Sequence, residues 1–413
     1  MNDETIRIAI TGNVDSGKST FAGVLVNNIL DDGRGLCRSK ILRNKHELDT
    51  GRTSFITFNK LNRIIDDKRK ILSLIDLAGH EKYLKTTMSG ITGLFLDYGL
   101  LLISANMGIT KMTKEHLALL LYQKVPIIVL ITKVDMVPEK VKNDTIKKIK
   151  KILNLPIFGK KTYQFPEDNT KCKDEMKLFS SLNDPLDTFI PIISISNKTG
   201  TNIENVKDFL FLQSNRSHWN SKIDSSLMYM DSRFNVKGIG VVVSGTVRGN
   251  DIKINDKLYM GPIDDKFIQV KVRSIHNNVR ENVDKLVDNQ DGCLAIRTIN
   301  KDELTKDKIK RGVILFSNKD LINNICWSFK AEIVVLSHST TISDNYQPVI
   351  HCGNVRQNAK IEMFDCKKKK LRAMDKAIVK FTFCFRKEYI EVDNIIFFRD
   401  GNTKGYGHIL EIY

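Results

Sequence analysis

Eight residues near the start of the chain, Gly12-Asn13-Val14-Asp15-Ser16-Gly17-Lys18-Ser19, constrain it more than any other stretch. They follow a short apolar, β-rich run from Ile6 to Ile10 and lead into an amphipathic helical pattern over Ser19–Asn28. A glycine, four residues, then Gly-Lys-Ser between a strand and a helix is the setting that a phosphate-binding loop requires. The glycines let backbone N–H groups turn inward around a β-phosphate, and Lys18 can neutralise the β and γ oxygens. The Ser19 hydroxyl is placed for Mg²⁺, and Thr20 completes the phosphate-binding set.

The next two hundred residues continue the theme. Strand candidates at Ile71–Leu77, Gly99–Ser104, Ile127–Ile131 and Ile190–Ile195 alternate with helical patterns such as Thr113–Gln123 and Asp144–Leu153. Such alternation predicts an α/β domain whose mostly parallel sheet is covered on both faces. The stretch 154–189, with Gly159, Pro166, Pro185 and mixed charges, breaks the pattern and reads as a surface insertion. Near residue 220 the texture changes to short β-branched runs between Gly, Asn and Asp turns: Gly240–Ser244, Lys257–Met260 and Ile268–Val272. A second series begins at Ser328, with Lys330–Leu336, Pro348–Cys352, Ala377–Phe383 and Ile395–Arg399, and Asn318 to Trp327 reads as the linker between them. Each series predicts a small antiparallel β-barrel. The expected organisation is an α/β nucleotide-binding domain over 1–218, one barrel over 219–322 and a second over 323–413.

Composition narrows the partners. Lys and Arg total 65 against 48 Asp and Glu in 413 residues, a net charge of +17 that favours a polyanion, most often nucleic acid or an acidic membrane surface. The run Lys367–Lys370 reads as a solvated hairpin turn or a phosphate-contact patch. Seven cysteines without a C-x-x-C pair argue against a disulfide framework or a zinc ribbon. No apolar stretch approaches the roughly 18 residues of a membrane span. The acidic opening Met1-Asn2-Asp3-Glu4 is unlike a secretory or organellar leader, so a cytoplasmic protein without a membrane role is expected.

Three further elements supply the chemistry around the loop. Asp76 closes the strand Ile71–Leu77, where a carboxylate reaches Mg²⁺ directly or through water, and Gly79 offers an unobstructed backbone N–H to a γ-phosphate. Thr132-Lys133-Val134-Asp135 closes another buried strand. Asp135 there can accept both hydrogen bonds from the N1–H and exocyclic amine of guanine, a pair adenine cannot donate, while the Lys133 stem lies over the base. Ser196-Asn197-Lys198-Thr199-Gly200 follows the strand ending at Ile195 and can supply N–H groups to the guanine carbonyl. GTP or GDP with Mg²⁺ is the expected cofactor set.

At these residues the chain resembles the translational GTPases related to elongation factor Tu. Val14-Asp15 inside the loop, Gly79-His80-Glu81-Lys82-Tyr83 after Asp76, and Gly238-Ile239-Gly240-Val241-Val242-Val243-Ser244-Gly245-Thr246 at the start of the barrels carry the likeness. So do Ile342-x3-Tyr346-x-Pro348-x2-His351 and the closing Phe398-Arg399-Asp400-Gly401-x-Thr403-x-Gly405. The segments Leu30-Asp31-Asp32-Gly33-Arg34-Gly35, Lys45-His46-Glu47 and Gly51-Arg52-Thr53-Ser54, with Asp76 to Thr87, are similar to the branch called GTP-binding proteins 1 and 2.

The resemblance implies a Ras-like domain followed by two barrels, a GTP-hydrolysing translation factor, and a monomer that meets the ribosome and aminoacyl-tRNA. It equally admits an elongation-factor-like GTPase with a non-tRNA partner, such as an RNA-decay adaptor or a regulatory scaffold. It makes Thr53 the first-switch threonine, a ligand of Mg²⁺ with Ser19 and Asp76, and 34 residues separate it from Ser19. It gives His80 the task of orienting the attacking water. Two residues depart from the family pattern: Arg52 stands where an apolar gate residue is usual, and Thr132 where Asn is usual. The second predicts weaker bracing of the loops around the base.

Overall fold

A computed structural model describes residues 3–42, 47, 53–216, 224–300, 304–310, 312–364, 370–401 and 403–413. The chain forms two compact units, residues 1–91 with 95–216, and residues 92–94 with 217–413. The expected domain boundary at 218/219, Lys45, His46, Gly51, Arg52 and Lys367 to Lys369 lie outside the described residues.

The first unit is built on a seven-stranded sheet: β1 Asp3–Gly12, β2 Thr57–Ile65, β3 Lys68–Asp76, β4 Tyr98–Ser104, β5 Ile127–Thr132, β6 Lys161–Gln164 and β7 Phe189–Ser194. The order is β2-β3-β1-β4-β5-β7-β6, and every pairing is parallel except that of the β2–β3 hairpin. Strands β4 and β5 are buried along their whole length, which explains why they read as unbroken apolar runs. Helices α1 Lys18–Asn27, α2 Leu36–Ser39, α3 Leu84–Gly93, α4 Lys111–Tyr122, α5 Glu139–Leu153, α6 Asn169–Ser180, α7 Pro185–Thr188 and α8 Ile203–Leu212 complete this unit among the described residues. The register matters most for function. Ile10 faces Asp76, Gly12 faces Leu102, Ser104 faces Thr132 and Ile131 faces Ser194. The carboxyl ends of β1, β3, β5 and β7 therefore finish at one level, the edge where open α/β sheets bind ligands.

Two elements differ from the sequence expectation. Strand β2 has alternating, half-exposed residues and polar Asn59, Lys60, Asn62 and Arg63, so it lacks an apolar run. It is held by a tight turn in which Asp66 (φ 49°) and Asp67 (φ 59°) are both left-handed, as a two-residue hairpin demands. The stretch 154–189, read as a surface insertion, is instead part of the core. It supplies edge strand β6 and helix α6, whose Cys172, Met176 and Phe179 are buried with Phe165 and Phe209 in the main apolar cluster. Asp168 caps α6 by accepting the Lys171 N–H at 2.9 Å.

In the second unit two closed antiparallel barrels follow each other. Strands Ser226–Val236, Gly240–Gly249, Lys257–Ile263, Lys266–Asn277, Asp291–Thr298 and Ile314–Phe316 form the first, closed by the pairing of Lys257–Ile263 with Lys266–Asn277. Strands Ser328–Ser337, Val349–Cys352, Val355–Met363, Lys376–Phe383, Ile395–Asp400 and Thr403–Ile412 form the second. Both show the period-two burial that a filled barrel requires, with Val243, Val270 and Leu294 inside one and Phe329, Phe381 and Phe398 inside the other. The expected linker is ordered: Lys319–Asn324 forms a 3₁₀ turn and Ile325–Cys326 pairs with Glu388–Tyr389. No helix among the described residues is long and apolar enough to cross a membrane.

Candidate functional site

The loop after β1 is drawn around its own lysine. Gly17 caps α1 with φ 87°, a conformation that favours glycine, and so aims the first turn of the helix into the loop. Lys18 Nζ donates to the carbonyls of Gly12 at 3.1 Å and Asn13 at 2.7 Å, and Ser16 Oγ donates to the Asn13 carbonyl at 2.9 Å. Burial lowers the Lys18 pKa to about 8, against the pull of Asp76 and Asp15. Two carbonyls do not replace the lost hydration of an ammonium group, whereas phosphate oxygens would. Val14, Asp15 and Thr20 line the same cavity as Lys18, Ser19, Thr53, Gly79, His80 and Lys133.

Beside the lysine, three oxygen-bearing side chains converge. Ser19 Oγ donates to Asp76 Oδ2 at 2.6 Å and lies 2.7 Å from Thr53 Oγ1, which itself stands 3.2 Å from the same carboxylate oxygen. Asp76 is wholly buried, its pKa is raised by that burial, and its Oδ1 has no hydrogen-bond partner. Two hydroxyls and a buried carboxylate with an unused oxygen suit a hard divalent cation such as Mg²⁺.

Gly79 sits where no other residue fits. A Cβ there would lie 2.4 Å from Lys18 Nζ and 2.7 Å from the Gly12 carbonyl oxygen. His80 is exposed at the start of a 3₁₀ turn, and its Nδ1 accepts the Lys82 N–H at 3.1 Å.

The other end of the cleft is a network of hydrogen bonds around one carboxylate. Ser196 Oγ donates to Asp135 Oδ1 at 2.6 Å while accepting the N–H groups of Lys198 at 3.2 Å and Thr199 at 3.1 Å. The Asn197 carbonyl accepts the Asp31 N–H at 2.9 Å, tying this loop to the segment after α1. Lys133 adopts φ 59°, which turns the chain sharply between Thr132 and Asp135. Thr132 keeps a bracing role: its Oγ1 donates to the Ser16 carbonyl at 2.8 Å, joining the end of β5 to the phosphate loop.

Sequence reasoning missed two buried groups that support the site. His116, on the apolar face of α4, accepts the Gly12 N–H at Nδ1 over 3.0 Å. Burial, with Lys18 nearby, pushes its pKa down to about 3, so it stays neutral and can accept. Glu47 accepts the Ser54 N–H, the Ser54 hydroxyl and the Phe55 N–H on one oxygen. The only sequence signal for His116 was a lone histidine on an apolar stripe. For Glu47 there was none beyond its place in the Lys45-His46-Glu47 segment.

A phosphate loop, a carboxylate at the end of β3 and the hydrogen-bonded Asp135–Ser196 pair beyond β5 and β7 have the arrangement of a guanine-nucleotide-binding P-loop domain. The family model described as Elongation factor Tu GTP binding domain matches residues 3–229, and the chain belongs to this family of GTPases. Within it the chain falls with the GTP-binding protein 1 and 2 branch. GTP-binding protein 1 of Xenopus laevis is 39% identical over 98% of this chain and 63% of its own length. GTP-binding protein 2 of Mus musculus is 35% identical, covering 98% of this chain and 69% of its own. The chain thus spans about two thirds or less of the length of the first of these. Among solved structures, the apo form of translation elongation factor SelB from Methanococcus maripaludis has the same fold. Its TM-score is 0.69, at 23% identity over 100% of this chain and 81% of that one.

Proposed function

We propose that this chain is a GTP-hydrolysing switch that binds GTP with Mg²⁺ and acts on the ribosome, with aminoacyl-tRNA in an elongation-factor-like role. The observation that carries the reading is the convergence of Thr53 Oγ1 and Ser19 Oγ on the Asp76 carboxylate. A residue 34 positions beyond the phosphate loop has come back to its metal-binding serine. That is the arrangement by which a switch segment senses whether a γ-phosphate is present.

The chain's own groups divide the work. Asp135 selects guanine, held in its accepting orientation by Ser196. The N–H groups of Asn13 to Ser19 and the Lys18 ammonium bind the β and γ oxygens. Ser19, Thr53 and Asp76 would hold Mg²⁺, which supplies positive charge against the phosphate oxygens. The Gly79 N–H would be available to the γ-phosphate. Because His80 Nδ1 accepts from Lys82, the neutral ring carries its proton on Nε2. It therefore orients the attacking water, or donates toward the phosphate, and does not strip a proton; phosphoryl transfer depends chiefly on such positioning. Water adds to the γ-phosphorus as the bond to the β–γ bridging oxygen breaks, releasing GDP and phosphate.

The net charge of +17 supports an RNA-rich partner, since phosphate contacts supply affinity that weakens with salt. The test is GTP turnover with and without ribosomes across a salt series. Stimulation that declines as salt rises is expected. No stimulation at any salt would sink the ribosomal part and leave the GTPase standing. Aminoacyl-tRNA retained only with a GTP analogue supports the elongation-factor-like role. Ribosomal stimulation without that retention points to a non-tRNA partner, as an RNA-decay adaptor or scaffold would have.

A further inference from the structure

Arg38, inside the short helix α2, lines the same cavity as Val14, Ser19 and Thr20, although no motif of the sequence includes it. It is half-buried, and its guanidinium has no hydrogen-bond or ion-pair partner among the described residues. Asp15, a carboxylate lining that cavity, does not pair with it. Lys18 differs, since its ammonium is already engaged by two loop carbonyls. A guanidinium is a rigid fork of N–H donors that keeps its charge at any working pH. Half-buried beside a phosphate loop and without an acceptor, it is matched to an anion that enters from outside.

The backbone around Arg38 is fixed, and this sets the course of the side chain. Gly35 enters α2 at φ 97°, and a Cβ there would collide with Arg38 Nε and lie 2.9 Å from its Cζ. The arginine therefore folds back across the glycine. The neighbouring Cys37 is buried, its N–H donates to Asp31 Oδ1 at 3.0 Å, and its carbonyl leaves no room for a Cβ on Gly23 of α1. Asp32 Oδ1 accepts the Arg34 N–H at 2.8 Å and the Leu36 N–H at 3.2 Å, while the Asp31 N–H reaches the Asn197 carbonyl at 2.9 Å. Arg38 is thus anchored to α1 and to the loop at the base end. None of these anchors belongs to the Thr53 segment, so its placement does not wait for a γ-phosphate.

We propose that Arg38 is a further phosphate-binding residue of the cleft, gripping with its fork the α- and β-phosphate oxygens that GDP and GTP share. The proposal rests on the reading of this cleft as a guanine-nucleotide site. Thr53 would report the γ-phosphate, whereas Arg38 holds either nucleotide. Its charge offsets part of what one lysine and one divalent ion leave uncompensated on a triphosphate.

The experiment measures equilibrium affinities of the whole chain for GDP and for a non-hydrolysable GTP analogue, with Mg²⁺, at low and high salt. Arg38→Gln should weaken both nucleotides alike by about tenfold at low salt, the size expected for losing charge-assisted hydrogen bonds. That loss should shrink at high salt, where the charges are screened. Arg38→Lys keeps the charge without the fork, so it should lose only about threefold. Wild-type affinities in Arg38→Gln would overturn the proposal. A loss confined to the analogue would place Arg38 at the γ-phosphate and overturn the shared-phosphate assignment. A loss equal at both salts and not recovered by Arg38→Lys would mean that Arg38 only supports α2, which overturns phosphate binding. A wild type that binds neither nucleotide would overturn the guanine-nucleotide reading instead.

Discussion

At the base end of the cleft neutral partners already meet the charged group, Ser196 holding Asp135 and Thr132 holding the Ser16 carbonyl, with Asn197 Oδ1 the buried atom left without a partner. At the phosphate end burial outweighs such partners. Lys18 is buried with its pKa lowered to about 8, and Asp76 is buried with its pKa raised and Oδ1 unpartnered. The contrast follows from what each end must bind. Guanine is a rigid neutral heterocycle, which on the proposed reading a preformed pair of acceptors would select with little rearrangement. On the proposed reading, phosphates and Mg²⁺ would bring charge of their own to side chains whose pKa burial has shifted, Lys18 downward and Asp76 upward. In the proposed switch the base end would provide identity, and the phosphate end the charged groups that respond to the ligand.

The largest break in this picture should come from Gly79→Ala. The added Cβ would meet Lys18 Nζ at 2.4 Å, the Gly12 oxygen at 2.7 Å and the Asn13 carbonyl carbon at 2.8 Å. A lysine can swing aside, but loop backbone cannot. Affinity for guanine nucleotide, measured by fluorescent-nucleotide titration, should fall about a hundredfold, corresponding to ~3 kcal/mol of overpacking. A loss of less than about threefold would mean that the phosphate end is looser than its geometry indicates.

The next effect is a pH dependence confined to the same end. In the free protein Lys18 loses its proton near pH 8. Bound phosphate favours the ammonium form, so the pKa is higher in the complex and binding above pH 8 must take up a proton. Affinity should therefore be level below that point and decline by up to about tenfold per pH unit above it. Titrations between about pH 7 and 9 would show the bend. Lys18→Arg, whose guanidinium does not titrate there, should bind more weakly and show no bend. A bend that survives in Lys18→Arg would assign it to another group.

Legibility in the sequence tracked burial. Strands β4 and β5 were visible because every side chain is inside, and β2 was hidden because an edge strand with polar alternate residues carries no apolar run. Cys172, Met176 and Phe179 recur at helical spacing, yet the surrounding Gly159, Pro166 and Pro185 masked the stripe, so α6 was misread as surface. Motif residues could be placed because local order alone sets them at strand ends. His116 could not, since its bond to Gly12 spans 104 residues and exists only once β1 and α4 have packed. The substitution at position 132 was legible as a change but not in its consequence: the sequence shows a lost amide, while the fold shows a hydroxyl reaching Ser16.

That hydroxyl gives the smallest and most discriminating test, because it is the point where the two ends of the cleft are joined. Thr132 is fully buried, so Thr132→Val preserves shape and removes only the bond to the Ser16 carbonyl. One neutral hydrogen bond contributes roughly 1 kcal/mol, and the cost includes whatever the Ser16 oxygen loses by being left without this donor. Nucleotide affinity should drop about fivefold for GTP analogue and GDP alike, because the brace acts on the loop that holds the phosphates common to both. Thr132→Ser, which keeps the hydroxyl, should stay near wild type. If Thr132→Val instead weakens discrimination between guanine and adenine nucleotides while leaving phosphate affinity intact, the brace serves Asp135 and not the phosphate loop. The two ends would then be independent modules, and the division of labour drawn above would run through Thr132, not across it.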